Sequence, residues 1–225
     1  MFATDQFKRI SIITGHYGSG KSNIAVNLAL AMAKAGGPVT IVDLDIVNPY
    51  FRTADLKDML EEKGIHVITP VYANTNLDIP ALPPEISSVF RPDSGKVVID
   101  VGGDDAGAIA LGQFAGRIAA SEYDMYYVIN ERRYLTRSAP EAAELLLEIE
   151  ASSRVKATKL INNTNLGEDT SLAMIEASLP FGEAVSRLTG LPLAFTCADR
   201  RLAEKAANPE AYYPVDILVH QNWDV

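Results

Sequence analysis

Gly15-His16-Tyr17-Gly18-Ser19-Gly20-Lys21-Ser22 is the stretch on which the fold turns. It fits G-x-x-x-x-G-K-[ST], a loop whose backbone N–H groups cradle phosphate oxygens. The pattern acquires physical meaning from its surroundings. Before it stands the apolar run Ile10-Ser11-Ile12-Ile13, which reads as a buried strand. After it, residues 21–35 read as a helix, with Ala25, Leu28, Ala29 and Met32 on one apolar face. Glycines let successive N–H groups point inward, and the helix start adds the positive end of its dipole. In such a loop Lys21 reaches the β- and γ-phosphates and the Ser22 hydroxyl ligates Mg²⁺. All eight residues, Gly15, His16, Tyr17, Gly18, Ser19, Gly20, Lys21 and Ser22, are therefore expected to line the phosphate site.

Working outward, short apolar runs alternate with helical patterns. Strands are expected at 9–14, 39–43, 65–69, 96–101, 124–130, 158–162 and 192–196, with a weaker one at 215–219. Helices are expected at 21–35, 53–63, 107–120, 136–151, 170–189 and 199–207. Gly36-Gly37-Pro38 stops the first helix. This alternation implies an α/β fold: a doubly wound, mainly parallel sheet with helices on both faces. Ligands then bind outside the carboxyl ends of the strands. No repeat or linker divides the chain, so residues 1–225 are expected to form one nucleotide-binding domain. Pro70, Pro80, Pro83, Pro84 and Pro92 mark 70–95 as an excursion with a short helix near 84–90, a substrate or partner contact or a plain surface loop.

Composition narrows the function. The 225 residues carry 20 Lys plus Arg against 29 Asp plus Glu, a net charge of −9, which argues against a broad nucleic-acid footprint. The single cysteine, Cys197, forbids an intrachain disulfide or a Cys-x-x-Cys metal clip. The apolar run before the loop is too short for a signal peptide or membrane span, and 217–225 offers no basic amphipathic helix. The expectation is a cytoplasmic protein that engages neither membrane nor nucleic acid.

Two acidic strand ends belong beside the loop. The run from Val39 closes on Asp43-Leu44-Asp45, and the run from Lys96 closes on Asp100-Val101-Gly102-Gly103. Next to a Mg²⁺–triphosphate, Asp43 is suited to hold a water of the metal shell and Asp45 to orient the attacking water, or else to cap a helix. Asp100 faces the metal through water or the Ser22 hydroxyl, and Gly102 and Gly103 admit a backbone N–H to the γ-phosphate. Asp104 and Asp105 serve a helix cap as well as they serve catalysis.

Together these motifs resemble the MinD/ParA/CobQ–CobB group of P-loop NTPases, from Ile10 to about Ala206. The resemblance implies a first switch at Asp43-Leu44-Asp45 and a second at Asp100-Val101-Gly102-Gly103. It assigns the hydrolytic water to Asp45 and the metal to Asp100, and it implies a sandwich homodimer. One departure is visible. The group's loop carries a lysine that reaches the partner's nucleotide; here that position is His16, followed by Tyr17. An imidazole is shorter and mostly neutral at pH 7, so it either hydrogen-bonds a phosphate or packs the loop.

The sixth strand ends Asn162-Asn163-Thr164-Asn165. Read against the guanine motif Asn-Lys-x-Asp, Asn163 replaces the lysine and Asn165 the aspartate. An amide cannot accept both guanine N–H donors, which favours ATP over GTP. The group's adenine contact falls on Asn162, though an Asn serving a turn explains the run too. Arg132 and Arg133 lie on the ligand edge, as phosphate contacts, partner contacts or solvated side chains. Tyr50 and Phe51 follow the first switch and either face a partner or anchor the loop. The sum is a Mg²⁺-dependent ATP-binding protein with slow ATPase activity, a nucleotide switch or loading factor for another protein. The alternatives are a small-molecule kinase or ATP-dependent synthetase of the CobQ–CobB or dethiobiotin-synthetase type, a GTP-dependent metallochaperone, or a module that binds without hydrolysis. The expected ligands are ATP, ADP and Mg²⁺, with a protein partner or small-molecule substrate.

Overall fold

The structure is a computed structural model and describes residues 7–45, 56–70 and 83–219. The Asn48–Arg52 stretch with Tyr50 and Phe51, the start of the helix expected at 53–63 and the middle of the 70–95 excursion lie outside these residues. Eight strands form one sheet: β1 (Ile10–Gly15), β2 (Val39–Leu44), β3 (Ile65–Ile68), β4 (Lys96–Val101), β5 (Tyr123–Ile129), β6 (Lys159–Asn162), β7 (Leu193–Asp199) and β8 (Tyr212–Val215). Their order is β3-β2-β4-β1-β5-β6-β7-β8, and every pairing is parallel. The strand that feeds the glycine loop therefore lies inside the sheet, between β4 and β5. The connection from β1 leads to β2 on one side, and that from β4 passes β1 to β5 on the other; this reversal opens a crevice at the carboxyl end of β1.

Strand periodicity splits the core into two layers. Ile10 and Ile12 face one side, with Leu111, Leu146, Phe181 and Val185. Ile13 faces the other, with Ile24, Leu28 and Met32 of α1 (Lys21–Ala35). Ile24 and Leu28 are wholly buried, each contributing about 1.5–3 kcal/mol. This anchors the helix whose first turn completes the loop.

The remaining helices are α2 (Lys57–Glu62), α3 (Asp105–Gly112), α4 (Ala115–Ala119), α5 (Ala139–Ser153), α6 (Leu172–Ala177), α7 (Leu179–Thr189) and α8 (Arg200–Ala203), with a 3₁₀ segment at Pro84–Phe90. Three expectations change. The helix expected over 107–120 is interrupted, because the Gly112 carbonyl accepts a hydrogen bond from the Arg154 guanidinium and leaves the helical ladder. The helix expected over 170–189 breaks at Ser178, where Pro180 opens α7 and supplies no backbone N–H. The last strand is 212–215, not 215–219. Tyr213 stacks on Phe195 with ring centroids 4.5 Å apart, and the following segment lies along α1 instead. Asn27 exchanges two hydrogen bonds with the Asp216 backbone, and Asn23 Oδ1 accepts from Leu218 and Val219. The apolar residues 217–219 thus read as helix packing.

Candidate phosphate site

The loop leaves β1 and turns at once, the Ser19 N–H donating to the His16 carbonyl at 3.1 Å. Gly20 caps α1 at φ +88°, a left-handed conformation that L side chains avoid, and an added Cβ would lie 2.3 Å from Asn163 Nδ2. No side chain caps this helix, and its first turn holds no acid. Its N–H groups are left to an external anion.

Lys21 curls back into the loop. Its Nζ donates to the His16 carbonyl at 3.0 Å, and the residue is only 7% exposed. Burial pulls the ammonium pKa below the ordinary lysine range, opposed by Asp100, Asp45 and Asp104 in that order. His16, half-buried, is also lowered: by burial first, then by the charges of Lys21 and Arg133. Both causes favour the neutral imidazole in the free protein. Ser19 Oγ is buried and has no hydrogen-bond partner among the described residues. Leaving a buried hydroxyl unmet costs about 1–3 kcal/mol, and a phosphate oxygen at the loop would meet it.

The acidic residues arrive from the side of β2 and β4. Asp43 and Asp100 are register partners in the ladder, 1% and 2% exposed. Asp43 Oδ1 accepts the Asp45 N–H at 2.8 Å, and the Asp45 carboxylate lies against Gly102. Gly103 lies on the loop itself: an added Cβ would stand 2.6 Å from Tyr17 N and 2.7 Å from Lys21 Nζ. The two acidic segments and the loop are therefore one contiguous site. Asp104 caps α3, accepting from the Gly107 N–H at 2.9 Å. Among the described residues no group of three or more His, Cys, Asp and Glu could hold a metal. Two buried carboxylates paired in register do fit Mg²⁺, which takes one or two carboxylates, water and substrate phosphates.

Asn162 is placed elsewhere than the expected base contact requires. It is fully buried; its Nδ2 donates to Ser178 Oγ at 2.9 Å and its Oδ1 accepts from the Thr164 hydroxyl at 2.8 Å. The amide is consumed inside the protein. Its neighbour Asn163 reaches the loop instead, donating from Nδ2 to the Ser19 carbonyl at 2.7 Å. Asn165 is occupied by its own turn, bonding the Asn163 carbonyl and the Gly167 N–H. Sequence reasoning left Arg133 open. Its guanidinium packs against Gly18, within 3.0 Å of where a Cβ would stand. The signal was its place just beyond a strand on the ligand edge.

A ParA family model, described as NUBPL iron-transfer P-loop NTPase, matches residues 6–83. No curated protein sequence matches the chain. Among solved structures, the chain is similar to the signal recognition particle 54 kDa protein of Aeropyrum pernix K1 in complex with GDP, with TM-score 0.54, 18% identity, and coverage of 85% of this chain and 41% of that one. It is similar to the cell division protein FtsY of Thermotoga maritima, with TM-score 0.55, 18% identity, 93% and 65% coverage. FtsY of Mycoplasma mycoides follows with TM-score 0.51, 16% identity, 96% and 66% coverage. The fold is that of the P-loop NTPases. The chain spans 41% to 65% of the length of the first two of these proteins. No helix among the described residues is long and apolar enough to cross a membrane.

Proposed function

We propose that the protein is a Mg²⁺-dependent ATP-binding protein that hydrolyses ATP slowly and acts, in the cytoplasm, as a nucleotide switch or loading factor for a partner protein. The observation that carries the reading is the buried Lys21 ammonium, held by the His16 carbonyl inside a glycine loop and flanked by aspartates from two strand ends. An ammonium kept at 7% exposure inside a glycine loop is placed to meet a polyanion whose metal the neighbouring aspartates would share. Lys21 and the loop N–H groups bind the phosphates, and Asp43, Asp100 and Ser22 would hold the metal. Magnesium supplies charge neutralisation between the β- and γ-oxygens. Asp45, anchored through its N–H on Asp43, orients water toward the γ-phosphate.

Adenine is preferred on chemical grounds. The carboxylate of Asn-Lys-x-Asp is missing, and Asn165, in its place, has its amide engaged. The GDP of the signal recognition particle relative belongs to that protein. As for cargo, the iron transfer in the matching family's description finds no cluster ligands here: the one cysteine, Cys197, is buried and burial pushes its thiol up.

A kinase or synthetase is the second reading. A shallow cleft of about 310 Å³, lined by Glu131, Arg132, Arg137 and Leu166, suits an anionic acceptor on the ligand edge. Phosphate release by the purified protein, with and without pooled anionic metabolites, separates the two. Steady release without metabolites that disappears in Asp45→Ala, with ATP binding retained, supports the switch. Release that requires a metabolite supports the transferase.

A further inference from the structure

The stretch after β5 is built to present one cation to the loop. Asn130, fully buried, organises it. Its Oδ1 accepts from the Arg132 N–H at 2.9 Å and the Asn165 N–H at 3.3 Å, and its Nδ2 donates to the Asn165 carbonyl at 3.1 Å. Its carbonyl accepts from the Arg133 N–H at 3.1 Å and the Thr136 hydroxyl at 2.6 Å. The Glu131 N–H donates to Thr164 Oγ1 at 3.2 Å. The backbone of 130–136 is thus tied to the segment that follows β6, which itself ties to the loop through Asn163.

From this frame the Arg133 side chain lies over Gly18, which has φ +72° and whose missing Cβ leaves room for the guanidinium. Arg133 Nε is buried and has no hydrogen-bond partner among the described residues. A charged donor left unmet costs more than a neutral one, and nothing structural repays it here. Gly18 is a backbone position of the phosphate loop, so the natural acceptor is an oxygen of the bound polyphosphate. A planar fork of N–H donors suits phosphate oxygens better than a point charge does.

We propose that Arg133 is a phosphate-contacting residue supplied by the same chain, approaching the loop at Gly18 and adding a second permanent cation to Lys21. It takes up the charge that a neutral His16 does not provide. The inference rests on the loop being a polyphosphate site, and it goes further in naming a cation that the loop motif does not contain.

The test is calorimetric titration of Mg²⁺–ATP, Mg²⁺–ADP and inorganic tripolyphosphate into wild type, Arg133→Ala, Arg133→Lys and Lys21→Ala, at low and high salt. Arg133→Ala is expected to fold normally, because the side chain gives up no hydrogen bond among the described residues; matching circular dichroism checks this. Affinity for all three ligands falls 10- to 100-fold, the salt dependence becomes shallower, and Arg133→Lys recovers part of the loss. Arg133→Ala binding like wild type, with Lys21→Ala impaired, overturns the assignment and leaves the phosphate site standing. Wild type that binds none of the three overturns both. Equal loss in Arg133→Ala and Arg133→Lys supports bidentate contact if the salt slope falls in Arg133→Ala, and overturns the proposal if the Arg133→Ala slope is unchanged.

Discussion

Asp43 and Asp100 face each other across neighbouring parallel strands, both all but excluded from solvent, at the sheet edge where the glycine loop begins. A divalent cation takes one or two carboxylates together with water and phosphate oxygens, so this juxtaposition suits a site that receives Mg²⁺. Asp100→Asn is expected to lose the extra thermal stabilisation that Mg²⁺ adds to ATP, while ATP alone still shifts Tm. Thermal melts with ATP, with and without the metal, measure it; an undiminished Mg²⁺ increment would remove Asp100 from the metal site.

Gly103→Ala examines the contact between the second acidic segment and the loop. The new methyl would meet the Tyr17 backbone nitrogen, which cannot swing away as a side chain can. ATP affinity is expected to fall tenfold or more, about 1.4 kcal/mol, with far-ultraviolet circular dichroism unchanged. Wild-type affinity in equilibrium binding would show that the two segments move apart when nucleotide enters.

The two adjacent asparagines should separate cleanly. Asn162→Ala strips partners from Ser178 and Thr164 inside the core and is expected to cost about 2–3 kcal/mol in urea denaturation, with the preference for ATP over GTP unaltered. Asn163→Ala frees the Ser19 carbonyl and is expected to weaken both nucleotides alike, with a stability loss nearer 1 kcal/mol. A changed base preference in Asn162→Ala would restore that residue as the adenine contact.

His16 gives a pH dependence with a definite sign. Its pKa in the free folded protein is lowered, so the folded state binds fewer protons than the unfolded chain, whose histidine titrates near ~6.5. The stability it contributes is full above that value and is lost as pH falls toward and through the folded pKa. Polyphosphate acts the other way, favouring the imidazolium, so ATP binding should take up protons and tighten between pH 7 and 6. Titrations in two buffers of different ionisation enthalpy report this uptake, and His16→Gln should abolish it. Identical heats in both buffers for wild type would exclude the linkage.

Much of the fold was legible because its signals are local. The apolar runs marked seven of eight strands, and the loop, with Asp43 and Asp100, declared its strand ends through the Asp that closes each run. What stayed hidden depends on tertiary partners. The helix ends at Gly112, where Arg154 comes to its carbonyl, and residues 216–219 look like a strand until Asn27 of α1 bonds the Asp216 backbone and Asn23 accepts from Leu218 and Val219. The same holds at the site. Nothing in Asn162-Asn163-Thr164-Asn165 says which amide turns inward; Ser178, distant in sequence, decides it. Arg133 could not be told from a solvated arginine until Asn130 was seen to fix its loop.

The central claim is that the turn ahead of α1 grips a polyphosphate through Lys21. Titration calorimetry of Mg²⁺–ATP into wild type and Lys21→Ala addresses it with least intervening inference. The account predicts saturable one-site binding by wild type and a loss of at least 100-fold, about 2.7 kcal/mol, in a variant that remains folded. Equal affinities in the two proteins, or no heat from wild type with millimolar ATP or GTP, would contradict it.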